Sequence, residues 1–251
     1  GRAWALGMLG NYDEAIAEEP PDFTTKAFIL SRMGRYADAT NVLTAGLLDA
    51  EVQQSFSTQG GFHLLLSRFA FERQRYAAAA EELGRAVKAY GQMTAPEQRP
   101  YLVLVDSMAG TLDVRQKHLA NAASHLEALR RRYIRELITE NSWAKRLEGD
   151  MALARGRLQE AADAYASGEP PRRMWFNSLA LAVSFLTNNL VSRDGVARVH
   201  KARGDLAGAI QEYRRLTSGK ANWNSMLEPR YVLEIAKLLE ATGDREGALV
   251  E

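Results

Sequence analysis

Gly204-Asp205-Leu206-Ala207-Gly208-Ala209-Ile210-Gln211-Glu212-Tyr213 holds the end of one helix, a tight turn and the packing face of the next. Gly204 has no side-chain carbon to clash in the left-handed conformation that closes a helix. Asp205 is placed to accept hydrogen bonds from the free amides at the start of the following helix, as an N-cap does. Ala209 and Tyr213 are four apart and so share one face of that helix. The small residue lets a neighbouring helix approach, and the aromatic fills the space one turn on. The stretch predicts a helical hairpin with a narrow waist.

Copies of this turn run along the chain: Gly10-Asn11-Tyr12-Asp13-Glu14-Ala15, Gly34-Arg35-Tyr36-Ala37-Asp38-Ala39 and Gln74-Arg75-Tyr76-Ala77-Ala78-Ala79. Lys117-His118-Leu119-Ala120-Asn121-Ala122, Gly156-Arg157-Leu158-Gln159-Glu160-Ala161 and Gly243-Asp244-Arg245-Glu246-Gly247-Ala248 complete the set. With Gly204 included, the turns are spaced 24, 40, 43, 39, 48 and 39 residues apart, and each copy keeps an alanine five residues after the turn position. Self-similarity on this scale predicts an all-α fold, an α-solenoid of antiparallel helix pairs.

A turn followed by an aromatic residue or leucine, and then alanine, resembles the tetratricopeptide repeat. Gly149, Ala27, Ala197 and Ala236 lie seven residues before their turns, where that family places a small residue in its first helix. Phe23 and Val232, four residues further back, match its large hydrophobic position, and Tyr165 and Tyr213 match the aromatic of its second helix. The resemblance covers nearly all of the chain. It implies helix pairs stacked into a right-handed superhelix with an inner groove. The chain departs from the family in two ways: most intervals exceed the family's repeat of about 34 residues, and Gln74 and Lys117 stand where a turn glycine is usual. These departures bear on helix lengths and superhelical pitch more than on the fold class.

Composition agrees. The 251 residues are 46% hydrophobic, enough for a substantial core, and a solenoid of that length reads as one elongated domain, residues 1–251. Lys and Arg number 32 against 31 Asp and Glu, a net charge of +1 that argues against a general nucleic-acid-binding surface. There is no cysteine, hence no disulfide framework and no thiolate metal site. This fits a reducing compartment, and a cytoplasmic location is the expectation. The most apolar run, Leu179-Ala180-Leu181-Ala182-Val183-Ser184-Phe185-Leu186, falls well short of the about 20 residues that span a bilayer, and reads as a buried helix.

In chain order, residues 1–50 predict two helix pairs, the first cut short by Pro20-Pro21. A longer pair follows around Gln74 over residues 51–95, then a pair around Lys117 over residues 97–140, and further pairs around Gly156, Gly204 and Gly243. The 48-residue interval leaves room for an extra helix near residues 172–189. The sequence starts without methionine and stops at Glu251, before the aromatic expected after Ala248. It therefore reads as part of a longer polypeptide.

The sequence carries no recognisable signature of catalysis. Phosphate-binding loops, dinucleotide fingerprints, the zinc-protease helix motif and the nucleophile elbow are all missing from the sequence. His118 and His125 are seven residues apart, about 10 Å along a helix, too far for one ion without other ligands, so no metal is expected. Arg130-Arg131-Arg132-Tyr133 reads as a solvated helix end, and Pro170-Pro171-Arg172-Arg173 as a loop with a helix start. Trp4, Trp143, Trp175 and Trp223 have no spacing that suggests a stacking platform for bases. The chain is read as not an enzyme, with no cofactor.

The resemblance directs attention to the groove. In that family the first helix of each pair lines it, at sites ten, six, three and two residues before the turn. Carried over, these sites hold the basic residues Arg32, Arg68, Arg115, Arg146, Arg198, Lys201 and Lys237, against the acidic Glu72, Asp150, Asp194 and Glu240. Phe28 and Phe71 add apolar surface. The expectation is a scaffold that binds a protein or peptide, preferably one bearing carboxylates, with neither nucleic acid nor membrane as partner. A regulatory or sensory region of a larger signalling protein, such as a kinase or transcriptional regulator, is the alternative. An enzyme or RNA reader on the same scaffold ranks behind both, because the mapped sites vary freely between Phe, Arg, Thr and Asp.

Overall fold

At Gly204 the backbone turns left-handed, with φ at +78°. The amide of Asp205 donates to the carbonyl of His200 at 3.0 Å, and that of Gly204 to Lys201 at 3.1 Å. This pair of bonds is the Schellman motif, which satisfies carbonyls that a helix end otherwise leaves open. It recurs at Gly10, Gly34, Gln74, Lys117, Gly156 and Gly243, every position where the sequence predicts a turn. Gln74 and Lys117 adopt φ of 58° and 64° without being glycine. An eighth copy, at Gln54 with φ 53°, follows no glycine signal and joins one predicted pair to the next.

The structure is a computed structural model that describes residues 2, 6–7, 9–18, 23–131, 142–168, 193–218 and 226–250. Among the described residues there are thirteen helices and no strand. They are α1 (Tyr12–Ala17), α2 (Phe23–Arg32), α3 (Tyr36–Val52), α4 (Phe56–Glu72), α5 (Tyr76–Tyr90), α6 (Ala95–Arg115) and α7 (Leu119–Arg131). There follow α8 (Ser142–Ala154), α9 (Leu158–Ser167), α10 (Gly195–Ala202), α11 (Leu206–Thr217), α12 (Glu228–Ala241) and α13 (Arg245–Val250). The 40- and 43-residue intervals come from long helices, with 17 residues in α3 and in α4 and 21 in α6. The extra helix expected near 172–189, the Pro170–Arg173 loop, Arg132, Tyr133, Trp4, Trp175 and Trp223 lie outside the described residues.

The chain divides into two compact units: residues 1–98 with 224–229, and residues 99–223 with 230–251. In the first, α2 packs on α3, α3 on α4 and α4 on α5. The α4–α5 waist is so narrow that a side-chain carbon on Gly60 would stand 2.3 Å from the ring of Tyr90, itself fully buried. In the second unit, α8 packs on α9, α9 on α10 and α10 on α11. There the Tyr165 ring fills a slot between Gly149 of α8 and Gly195 of α10, leaving either glycine no room for a side chain. Ala161 and Ala209, the small residues of the waist, are fully buried, and Tyr165 and Tyr213 are in the core beside them. Each unit is thus a run of stacked helical hairpins, the packing of an α-solenoid.

A repeated polar contact marks the equivalence of two hairpins. His63 Nδ1 lies 2.6 Å from Glu82 across α4 and α5, and His125 Nδ1 lies 3.0 Å from Asp106 across α7 and α6. In both, one partner is eleven residues before the turn and the other eight after it, with acid and histidine exchanged.

Candidate partner-binding site

The mapped sites of the first unit are on α2 and α4. Phe28 is 0% exposed and Phe71 8%, so both rings face the packed interior. Arg32, at the end of α2, forms an ion pair with Glu228, and its guanidinium lies 5.8 Å from the Phe28 ring centre and 5.9 Å from that of Tyr12. Arg68 is buried, 2.6 Å from Glu72 one turn along α4 and 5.1 Å from the centre of the Phe71 ring. A charge removed from water is tolerable only with such a partner.

In the second unit a polar chain links three first helices. Tyr165 Oη donates to Asp150 Oδ1 at 2.6 Å, and Arg198 Nη2 donates to the same oxygen at 2.6 Å. Arg198 Nε lies 3.2 Å from Asp194 Oδ1, whose other oxygen accepts from Arg230 Nη2 at 3.0 Å. Burial opposes the charge on Arg198, but Asp150 and Asp194 hold it protonated beyond the ordinary arginine range. Burial, and then the Asp150 carboxylate, push the Tyr165 phenol far above its usual value, so its proton stays on. These groups fix the register of α8, α10 and α12, because a slipped helix would leave a charge buried alone.

Lys201 and Lys237 are the open members, with side chains 46% and 54% exposed. Both converge on Glu234, at 2.7 and 2.9 Å. Burial disfavours the Glu234 carboxylate, yet the two ammonium groups hold its pKa below the usual range. Arg146 Nε donates to the carbonyl of Gly168 at 3.2 Å. Arg115, at the end of α6, is exposed and pairs with no described carboxylate.

Among the mapped basic residues, Arg32, Arg68, Arg198, Lys201 and Lys237 each have a described carboxylate at ion-pair distance. Much of the positive charge counted from sequence is balanced within the chain. Two of the balancing acids, Glu228 and Glu234, are not among the mapped sites. Glu234 was within reach of sequence reasoning, since it precedes Lys237 by three residues on one helix face. Glu228 has no such signal, being 196 residues from Arg32.

Among the described residues, no three His, Asp or Glu side chains converge as a metal ion would require. No described helix is long and apolar enough to cross a membrane. A family model described as Tetratricopeptide repeat matches residues 26–94 and 107–172, more than half of the chain. No curated protein matches it.

Proposed function

The chain belongs to the tetratricopeptide repeat family, and from that premise we propose that it is a non-catalytic scaffold that holds a peptide or protein segment bearing carboxylates. Repeats of this family generally mediate protein–protein interaction. The observation that carries the finer reading is the pair of exposed lysines, Lys201 and Lys237, converging on the partly buried Glu234. Two ammonium groups share one carboxylate there, so a second carboxylate can be received without stranding a buried charge. Arg115 is a further exposed cation, while Arg32, Arg68 and Arg198 are already paired with Glu228, Glu72 and Asp150.

The test is a fluorescence titration of acidic peptides at rising ionic strength, on the native chain and on Lys201→Glu and Lys237→Glu. Binding should weaken as salt screens charges beyond about 10 Å at 0.1 M. Each substitution should weaken it by about fivefold or more, the scale of an interface charge pair. Affinity that ignores both salt and the two substitutions would refute the carboxylate reading.

A further inference from the structure

In a solenoid, a hairpin touches its neighbours in sequence. The hairpin of α2 and α3 has an additional occupant, drawn from about 190 residues further along the chain. Met226 and Leu227 are 0% exposed and belong to the first compact unit. Tyr36 Oη, at the start of α3, donates to the carbonyl of Met226 at 2.9 Å. The Glu228 carboxylate sits on Arg32 at the end of α2. Pro229 lies over the turn itself, its Cβ 3.9 Å from where a side-chain carbon on Gly34 would stand.

One backbone carbonyl is captured by a hydroxyl and one carboxylate by an arginine, and the two apolar side chains of the same segment are buried. Peptide-binding surfaces capture their ligands by the same combination of anchors and charge. We propose that Met226–Pro229 is a resident internal ligand of the α2–α3 hairpin. The partner this surface takes is then a peptide with two adjacent apolar residues followed by glutamate, which displaces the segment. The inference rests on the scaffold reading and adds to it a location, a partner chemistry and an autoinhibitory contact.

The chain has no cysteine, so a single introduced thiol reports on the segment without background. In Leu227→Cys the thiol should react with an aromatic disulfide reagent far more slowly than the exposed thiol of Leu249→Cys. The free peptide Met-Leu-Glu-Pro-Arg-Tyr-Val, matching residues 226–232, should accelerate that reaction saturably by about tenfold, as local opening predicts. The same peptide with glutamine for glutamate should not, and Arg32→Gln should accelerate the reaction with no peptide added. A rate untouched by peptide would mean that the segment is a fixed part of the hairpin. A thiol as reactive as that of Leu249→Cys would mean that it is not docked at all. Either result overturns the proposal. Should Leu227→Cys fail to fold, hydrogen exchange at Leu227, Glu228 and Arg230 in the unsubstituted chain replaces it. Faster exchange with peptide supports displacement, and unchanged exchange overturns it. The salt titration reads Lys201 and Lys237, so it can succeed or fail independently of this result.

Discussion

Two glycines on neighbouring helices answer the same substitution in opposite ways. Gly84 lies inside α5 with open space where a side chain would go, so Gly84→Ala should stabilise the protein by about 0.5–1 kcal/mol through helix propensity. Gly60 on α4 faces the buried Tyr90 ring at 2.3 Å, and Gly60→Ala should destabilise by about 1–3 kcal/mol through overpacking. Thermal unfolding of the two variants checks the signs. Turn positions give a second contrast. Gln74 and Lys117 hold left-handed backbone with a side chain attached, so Gln74→Gly and Lys117→Gly should each raise stability by about 1 kcal/mol or somewhat less. The spacing of the repeats pointed to both positions although neither is glycine, because the requirement is on φ and not on the residue type.

At the scale of the helix, the N-caps separate into two kinds. Asp205 accepts from the Gly208 amide at 2.9 Å and Asp244 from the Gly247 amide at 2.9 Å, as the sequence predicts for Asp205. Arg35, Arg75 and Arg157 stand at the same place without a side-chain cap bond. The Gly208 amide, and then His200, hold the Asp205 carboxyl below its ordinary value of 3.8. A carboxyl lowered in the folded state contributes stability at pH above its unfolded value and loses it as pH falls through the folded one. The melting temperature of Asp205→Asn should therefore lie below that of the native chain at neutral pH. The gap should close as pH drops below 3.8, which melting curves across that range will show. The exchanged His63–Glu82 and Asp106–His125 pairs belong to this scale too. The sequence shows all four residues, but no local rule pairs a residue eleven before a turn with one eight after it.

For the molecule as a whole, stacked hairpins imply that damage stays local. Gly60→Ala should lower hydrogen-exchange protection in α4 and α5 and leave α8 to α11 near their original values. Uniform loss across both units would show one cooperative fold instead. The reading of a broad basic groove changes most at this scale. Arg68 and Arg198 fall on first helices as expected, yet Arg68 is buried beside Glu72 and Arg198 is held partly buried by Asp150 and Asp194, so both are part of the packing. The exposed members of the mapped basic set are fewer: Lys201, Lys237 and Arg115.

The amino-acid sequence by itself determined the all-α class, the place of each predicted turn and the small-to-aromatic waists. Left-handed turns, N-caps and four-residue spacing act within about ten residues of chain, where local sterics and hydrogen bonding decide the outcome. Only the tertiary structure decided which charges are balanced. Arg32 meets Glu228 across 196 residues and Arg198 meets Asp150 across 48, and those encounters depend on how helix faces come together, which no local rule in the chain encodes.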